Sequence, residues 1–460
     1  MKWNNLSLHK IKWICSFIVV LLPFFCSISN VFQKYLAVTL WAIMMWMFEL
    51  LPEEIVAIML PGLYILFDIT NYATAFSAWT TSTPWITLGG LMIGGMIVKS
   101  GLVLRIAYKS LLLTKGSLKG IVWGIVLTCT IFTPLIPSIM AKVALLVPVV
   151  IGICKVLKVE AKSATASALM LVVFFALWSP KMAFMTASTD SILTAGILEQ
   201  YLGVQITWLA WAEDMFIPGI LWMLVSIPLI YILRPQHLNL NKEYLKIEYR
   251  KLGKITIDEK KTVTLITALL ILLIFSSWHK LPEGVLMLGI GCLGFFPGIG
   301  LLKSDDFSKI QFKVVFFLAG AVTIGAVASS IGITESVINF VQPYFEQMNS
   351  YELVMSIYIF SILANFLLNP LALIATLMIP IANLCSNLGY SATIGGYSMI
   401  MGFNQALFPY EIAPLMLVYG FGYLKLTHLI KVMVFRIVAG IIFMTVVTYP
   451  YWLYIGLLDK

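Results

Sequence analysis

The sequence predicts an all-α polytopic membrane protein built from two inverted repeats, with about eleven transmembrane helices and two re-entrant hairpins. Three observations predict it. Of the 460 residues 60% are hydrophobic and 11% charged; a glycine-marked segment occurs twice; and two long apolar stretches are broken by prolines. A mean hydropathy of +0.97 exceeds what a water-soluble domain can bury, so lipid must be the solvent. About 20 residues cross a hydrocarbon core roughly 30 Å thick. Crossings are expected near 13–29, 36–51, 55–70, 85–98, 163–185, 208–233, 262–278, 283–301, 314–331, 391–424 and 433–456.

The duplicated segment is PWITLGGLMIGGMIVKSGL, Pro84 to Leu102, which returns as VFFLAGAVTIGAVASSIGI, Val315 to Ile333. Gly89, Gly94 and Gly101 fall on Gly320, Gly325 and Gly332, each 231 positions later. A half-length repeat in an apolar chain suggests a carrier made of two related halves. Residues 1–233 form the first half, with an inner hairpin at 120–157. Residues 234–261 form a polar cytoplasmic linker with a short helix, and 262–460 the second half, with an outer hairpin at 350–388. Both hairpin stretches are interrupted by prolines and polar residues, which only shielded or water-facing backbone tolerates at membrane depth.

Charge sets the orientation. The N-terminal Lys2, Lys10 and Lys12 precede an apolar run with no small-residue cleavage site, so a retained first helix starting inside is expected. With that start, 24 of the 30 basic residues fall on the cytoplasmic face and the C-terminus lies outside, as the positive-inside rule requires. The +9 net charge needs no nucleic acid. Val103 to Lys119 is basic and belongs inside, whereas its counterpart Ile333 to Glu352 has no Lys or Arg and belongs outside. Corresponding pieces on opposite faces make the repeats inverted.

The breaks carry the chemistry. A helix restarting at Ser138, after Pro134 and Pro137, would aim free N–H groups at an anion, and Lys142 would add a full charge, unless it serves a vestibule or a structural pair. In the second hairpin Asn369 lies 231 positions after Ser138 and precedes Pro370. Thr186, Ser188, Thr189 and Asp190 belong to a run too polar for lipid. Asp190 either caps the next half-helix or binds a cation or proton, with Lys181 as a partner or snorkelling outward. Glu411, between Pro409 and Pro414, is either a coupling-ion residue or a vestibule charge. Candidate substrate-binding residues are therefore Ser138, Lys142, Asn369, Thr186, Ser188, Thr189 and Pro414; candidate coupling-ion residues are Asp190 and Glu411. The six cysteines are scattered as small apolar residues. The four histidines lie outside the apolar cores and no phosphate-binding glycine loop occurs, so an enzyme is not expected.

At these motifs the chain resembles the divalent anion:sodium symporter family, the dicarboxylate, citrate and sulfate carriers, over nearly its whole length. MMWMFELLPEEIVAIMLPGLYIL is similar to that family's early segment, with Trp46, Glu49 and Pro52 in place. PYEIAPLMLVYGFGYLKL is similar to its C-terminal signature through Gly420, Gly422, Tyr423 and Lys425. The resemblance implies eleven crossings, two hairpins and a homodimer in the inner (plasma) membrane. It further implies secondary active transport of small anions, di- or tricarboxylates or sulfate, by an elevator-type mechanism. The alternative is a cation/proton antiporter of the same superfamily. No cofactor is expected, and Na+ or H+ is the candidate coupling ion. The family's tips normally read Ser-Asn-Thr; here they read Ser138-Ile139-Met140 and Asn369-Pro370-Leu371. Some exchange-type relatives carry a basic residue two positions after that motif, where Lys142 stands. A fixed cation there would replace a bound sodium, which points to exchange or proton coupling.

Overall fold

The computed structural model describes residues 2–48, 50–114, 116–203, 206–238 and 240–458. Glu49 of the early motif, and Lys115 and Lys460 of the charge count, lie outside them. Among the described residues the chain is helical, without strands. Seven helices are long and apolar enough to cross a membrane, or eight if the bent pair Ser82–Lys99 and Leu102–Leu113 counts as one span. The expected eleven crossings are not reached by length, because several segments are short or interrupted. Glu53–Leu66 has 14 residues, Glu283–Leu293 has 11 and Ala392–Phe403 has 12.

Two of the three repeated glycine pairs serve the same purpose in both places, Gly89 with Gly320 and Gly101 with Gly332. The glycine helix Ser82–Lys99 lies along Glu283–Leu293 of the other half, and its counterpart Phe312–Ile331 lies along Glu53–Leu66. A Cβ on Gly89 would run into the backbone of Met287, and one on Gly320 into the backbone of Ala57. Met287 is 230 positions after Ala57, and both partner helices follow a Leu-Pro-Glu, Leu51-Pro52-Glu53 and Leu281-Pro282-Glu283. The halves therefore exchange their glycine helices, and bare glycine lets the backbones touch, the membrane's substitute for a hydrophobic driving force. Beyond each helix the chain turns through left-handed backbone, at Gly101 (φ 79°) and Gly332 (φ 76°), a conformation glycine adopts without steric penalty. At Gly101 this turn bends the helix pair by 65°.

Each expected hairpin is a 15-residue helix, a short link and an 18-residue helix. These are Leu118–Phe132 with Ile139–Val156, and Ser350–Ala364 with Pro370–Asn387. Both members of the first pair pack on Ala164–Trp178, and both members of the second on Ala392–Phe403. A straight pair of 33 residues would run about 50 Å at 1.5 Å per residue, too long for both members to lie on one helix of 15 or 12 residues. Doubling back satisfies this contact. Ala164–Trp178 is apolar on nearly every side and buried from Thr165 onward, the pattern of a helix with no lipid face.

The linker is strapped to the first half. Arg105 donates from Nε to Glu259 (2.5 Å) and from its terminal nitrogens to the carbonyls of Leu252, Gly253 and Lys254 (3.0–3.2 Å). The expected short helix is Lys242–Lys251. The last residues assigned to the linker instead open the next long helix, Ile257–Ile274, behind a Thr256–Glu259 capping box.

Candidate functional site

Ser138 is the N-cap of Ile139–Val156, its hydroxyl accepting from the Ala141 N–H at 3.2 Å. One turn on, the Lys142 ammonium is buried and donates to the Ala187 carbonyl at 3.1 Å and the Thr133 carbonyl at 3.4 Å. Ala187 lies in the first break, where Ala164–Trp178 gives way to 3₁₀ turns at Pro180–Ala183 and Met185–Ala187. Thr186 in that break donates back to the Pro134 carbonyl (2.9 Å) and receives the Trp208 indole N–H (3.2 Å). The first tip and first break thus form one hydrogen-bonded unit.

Within that break Lys181 pairs with Asp190, so of the two alternatives for Lys181 the structure takes the partner. The pair sits against the Trp178 ring. Ser188 is the backbone N-cap of Thr189–Leu202 and its hydroxyl bonds that of Ser191 at 3.0 Å. Thr189 is half-buried at that helix's start.

The second half repeats the layout with different chemistry. Asn369 caps Pro370–Asn387 by accepting from the Ala372 N–H at 2.9 Å, and Ala372 is 231 positions after Ala141. Its amide donates to Glu53 at 2.9 Å, tying the second tip to a Leu-Pro-Glu helix rather than to the first tip. Glu411 turns inward and accepts from the N–H groups of Leu407 (3.0 Å) and Phe408 (2.7 Å) and from Asn365 (3.3 Å). Pro414 is half-buried at the start of Ala413–Gly420, a helix that packs on Ile139–Val156.

What joins the two breaks is a set of residues the sequence reading did not select. Arg436 reaches from the helix Leu426–Phe443 to the Asn404 carbonyl (2.6 Å), Asn404 Oδ1 (2.5 Å), Gln405 Oε1 (3.1 Å) and Ser179 Oγ (3.1 Å). Its guanidinium lies between the Phe175 and Trp222 rings. A signal was present: Arg436 is the one charged residue in the apolar run 433–456, and ionisable residues at membrane depth mark functional positions. Among the described residues neither Lys142 nor Arg436 has a carboxylate within ion-pair range. The linked breaks hold three buried cations, Lys142, Lys181 and Arg436, against two buried acids, Asp190 and Glu411.

A cavity of about 290 Å³ reaches Ser138 and Ala141 from the side of Gly94 and Lys99, and Asp306 and Lys309 of the second half complete its wall. This is the architecture of a multi-pass membrane carrier. The solved structure of the Alcanivorax borkumensis YdaH transporter matches it with a TM-score of 0.56, covering 86% of this chain and 89% of that one at 15% identity, a likeness of fold alone.

The chain belongs to the family described as the sodium:sulfate symporter transmembrane region, which matches residues 4–458. It is 26% identical over 250 residues to dicarboxylate transporter 1, chloroplastic, of Spinacia oleracea, covering 53% of this chain and 44% of that protein. It is 23% identical over 453 residues to the L-tartrate/succinate antiporter of Escherichia coli strain K12, covering 88% of this chain and 90% of that protein. The chain spans less than half the length of the chloroplast relatives it matches. The family and these relatives are transporters, not enzymes.

Proposed function

We propose that the protein is a secondary active transporter of small carboxylate dianions, moving them by elevator-type alternating access of two inverted halves. The observation that carries the reading is Lys142. A buried ammonium is costly unless something offsets it, and among the described residues its acceptors are the carbonyls of Thr133 and Ala187, with no carboxylate in ion-pair range. It stands one turn inside a Ser138-capped helix start whose first N–H groups have no intrahelical partner; Ser138 and Ala141 of that turn line the cavity, and the ammonium lies buried behind them. Together these make a positive, donor-rich pocket suited to a carboxylate. The names of the relatives support carboxylates over sulfate.

The fixed cation supports exchange or proton coupling rather than sodium symport. The cation/proton antiporter alternative is weaker, because Asp190 is occupied by Lys181 and Glu411 by two N–H groups and Asn365. The proposal includes a cytoplasmic N-terminus, an external C-terminus and a homodimer, the first two testable by terminal reporter fusions and the last by light scattering in detergent. The central test is uptake of labelled succinate by purified protein in liposomes, with succinate or nothing inside and with or without a sodium gradient. Counter-succinate should drive uptake and sodium should not; strict sodium dependence overturns the exchange reading, and no uptake of succinate, tartrate or sulfate overturns the carrier.

A further inference from the structure

The cavity beside the first tip is lined by charge on its second-half side and at Lys99. Lys99, in the last turn of the first glycine helix, pairs with Asp306 of the second half. Lys309 stands 3.7 Å from the other oxygen of the same carboxylate, which also accepts from the Lys303 N–H at 2.8 Å. All three side chains line the cavity together with Ser138, and all three are at least partly exposed. Lys99 and the Lys303–Lys313 cluster belong to different halves, more than 200 positions apart, and the charge count assigns both to the cytoplasmic face.

We infer that this cavity is the cytoplasmic vestibule for a small dicarboxylate, with Lys99 and Lys309 as its receiving cations and Asp306 as a built-in competitor for them. The inference rests on the carrier reading above and adds the residues of the approach. Asp306 shows that a carboxylate fits between the two lysines, because it is one. Exchanging it for a substrate carboxylate replaces one exposed ion pair by another, a nearly neutral trade, since exposed pairs are weak and screened by salt. The substrate's second carboxylate then points down the cavity toward the Ser138 end. A dicarboxylate suits the arrangement better than a monoanion because the two positive ends are separated along one cavity. The pairing also joins the halves, so displacing Asp306 frees them to move against each other.

The sign of the mutational effect separates a competitor from a mere structural tie. The full-length protein in detergent is titrated with succinate, and the half-saturating concentration is read from the rise in melting temperature, since ligands that bind only the folded form stabilise it. D306N should lower that concentration roughly two- to fivefold, the span of one exposed ion pair. K99Q and K309Q should raise it by a similar factor, and K99Q/D306N should return close to the unmodified protein. Added salt should shrink all these differences. If D306N weakens succinate or leaves it unchanged while the unmodified protein responds and takes up succinate, the vestibule inference fails and the carrier reading stands. If the unmodified protein neither shifts nor takes up anions, both fail.

Discussion

Trp178 and Asn404 exchange hydrogen bonds across the two helix breaks: the indole N–H donates to the Asn404 carbonyl and the Asn404 amide donates to the Trp178 carbonyl, each at 2.9 Å. Each residue sits where its helix stops, so each supplies the other's broken ladder with a missing partner. The Asn404 oxygen also receives the Trp222 indole N–H and Arg436. Asn404→Leu keeps the backbone carbonyl that Trp178 and Arg436 use, but leaves the Trp222 indole N–H, one Arg436 nitrogen and the Trp178 carbonyl without their amide partner. A loss of about 3–5 kcal/mol is expected, since each buried polar group left unpaired costs about 1–3 kcal/mol. Thermal melting in detergent checks it; a shift of less than a degree or two would mean that the breaks are held elsewhere.

Lys142 offers a cleaner separation of folding from function. Lys142→Met keeps the volume and the apolar contacts of the side chain and removes only the charge and the donor. Two carbonyls lose a partner, so a stability change of about 1–3 kcal/mol in either direction is the ceiling, as the buried charge disappears too. Membrane insertion and melting should therefore stay close to normal, while succinate uptake should fall by at least tenfold. Uptake at the unmodified rate would remove Lys142 from the substrate site.

The doubled glycine contact can be tested as a pair. Gly89→Ala and Gly320→Ala each push a methyl into facing backbone, Met287 in one case and Ala57 in the other, and backbone yields less readily than a side-chain tip. Overpacking of this kind costs about 1–3 kcal/mol, so both variants should melt lower. Gly62→Ala is the control: nothing lies within 4 Å of its added carbon. In a helix interior that change favours the fold by about 1 kcal/mol. Equal melting of all three variants would deny the close backbone approach.

Residues whose signal is local were legible in advance. The spacing of Gly89, Gly94 and Gly101 against Gly320, Gly325 and Gly332 exposed the repeat, and Pro134, Pro137, Pro370, Pro409 and Pro414 exposed the breaks, because proline lacks a donor, suits a helix's first turn and disfavours helix at the residue before it, although Pro61, Pro148, Pro218 and Pro380 lie inside helices. Ser138 and Asn369 were placed as helix starts and are N-caps. What depends on distant partners was not legible. Asn369 meets Glu53 across 316 positions and Trp178 meets Asn404 across 226, and no periodicity encodes such pairings. The Leu-Pro-Glu repeat at Pro52 and Pro282 was written in the sequence, but its meaning lies in which glycine helix it faces. Length and composition alone mark seven or eight spans among the described residues against the eleven expected, because hydropathy sees an apolar run and not the turn that shortens its helix, as at Glu283–Leu293.

The strap between the linker and the first half should respond to acid. Burial pushes the Glu259 carboxyl up, but Arg105 and the Thr256 N–H more than offset this and hold it below the ordinary glutamate value. A carboxylate depressed in the folded state contributes stability above its unfolded pKa, and that contribution is lost as pH falls through the folded value. The strap should therefore be fully formed at neutral pH and loosen only below about pH 4, under the unperturbed glutamate pKa. Once Glu259 is neutral, Arg105 keeps its three carbonyl partners but loses the charge that fixes it, and the capping box of Ile257–Ile274 weakens with it. Pepsin cleavage of the linker, stepped from about pH 5 to about pH 3, should rise over that interval. Glu259→Gln should make Lys251 and Lys254 open to trypsin already at neutral pH, since glutamine can cap Thr256 but cannot pair with Arg105. Cleavage that is the same in both proteins at neutral pH would mean that the carbonyls of Leu252, Gly253 and Lys254 hold the strap without the ion pair.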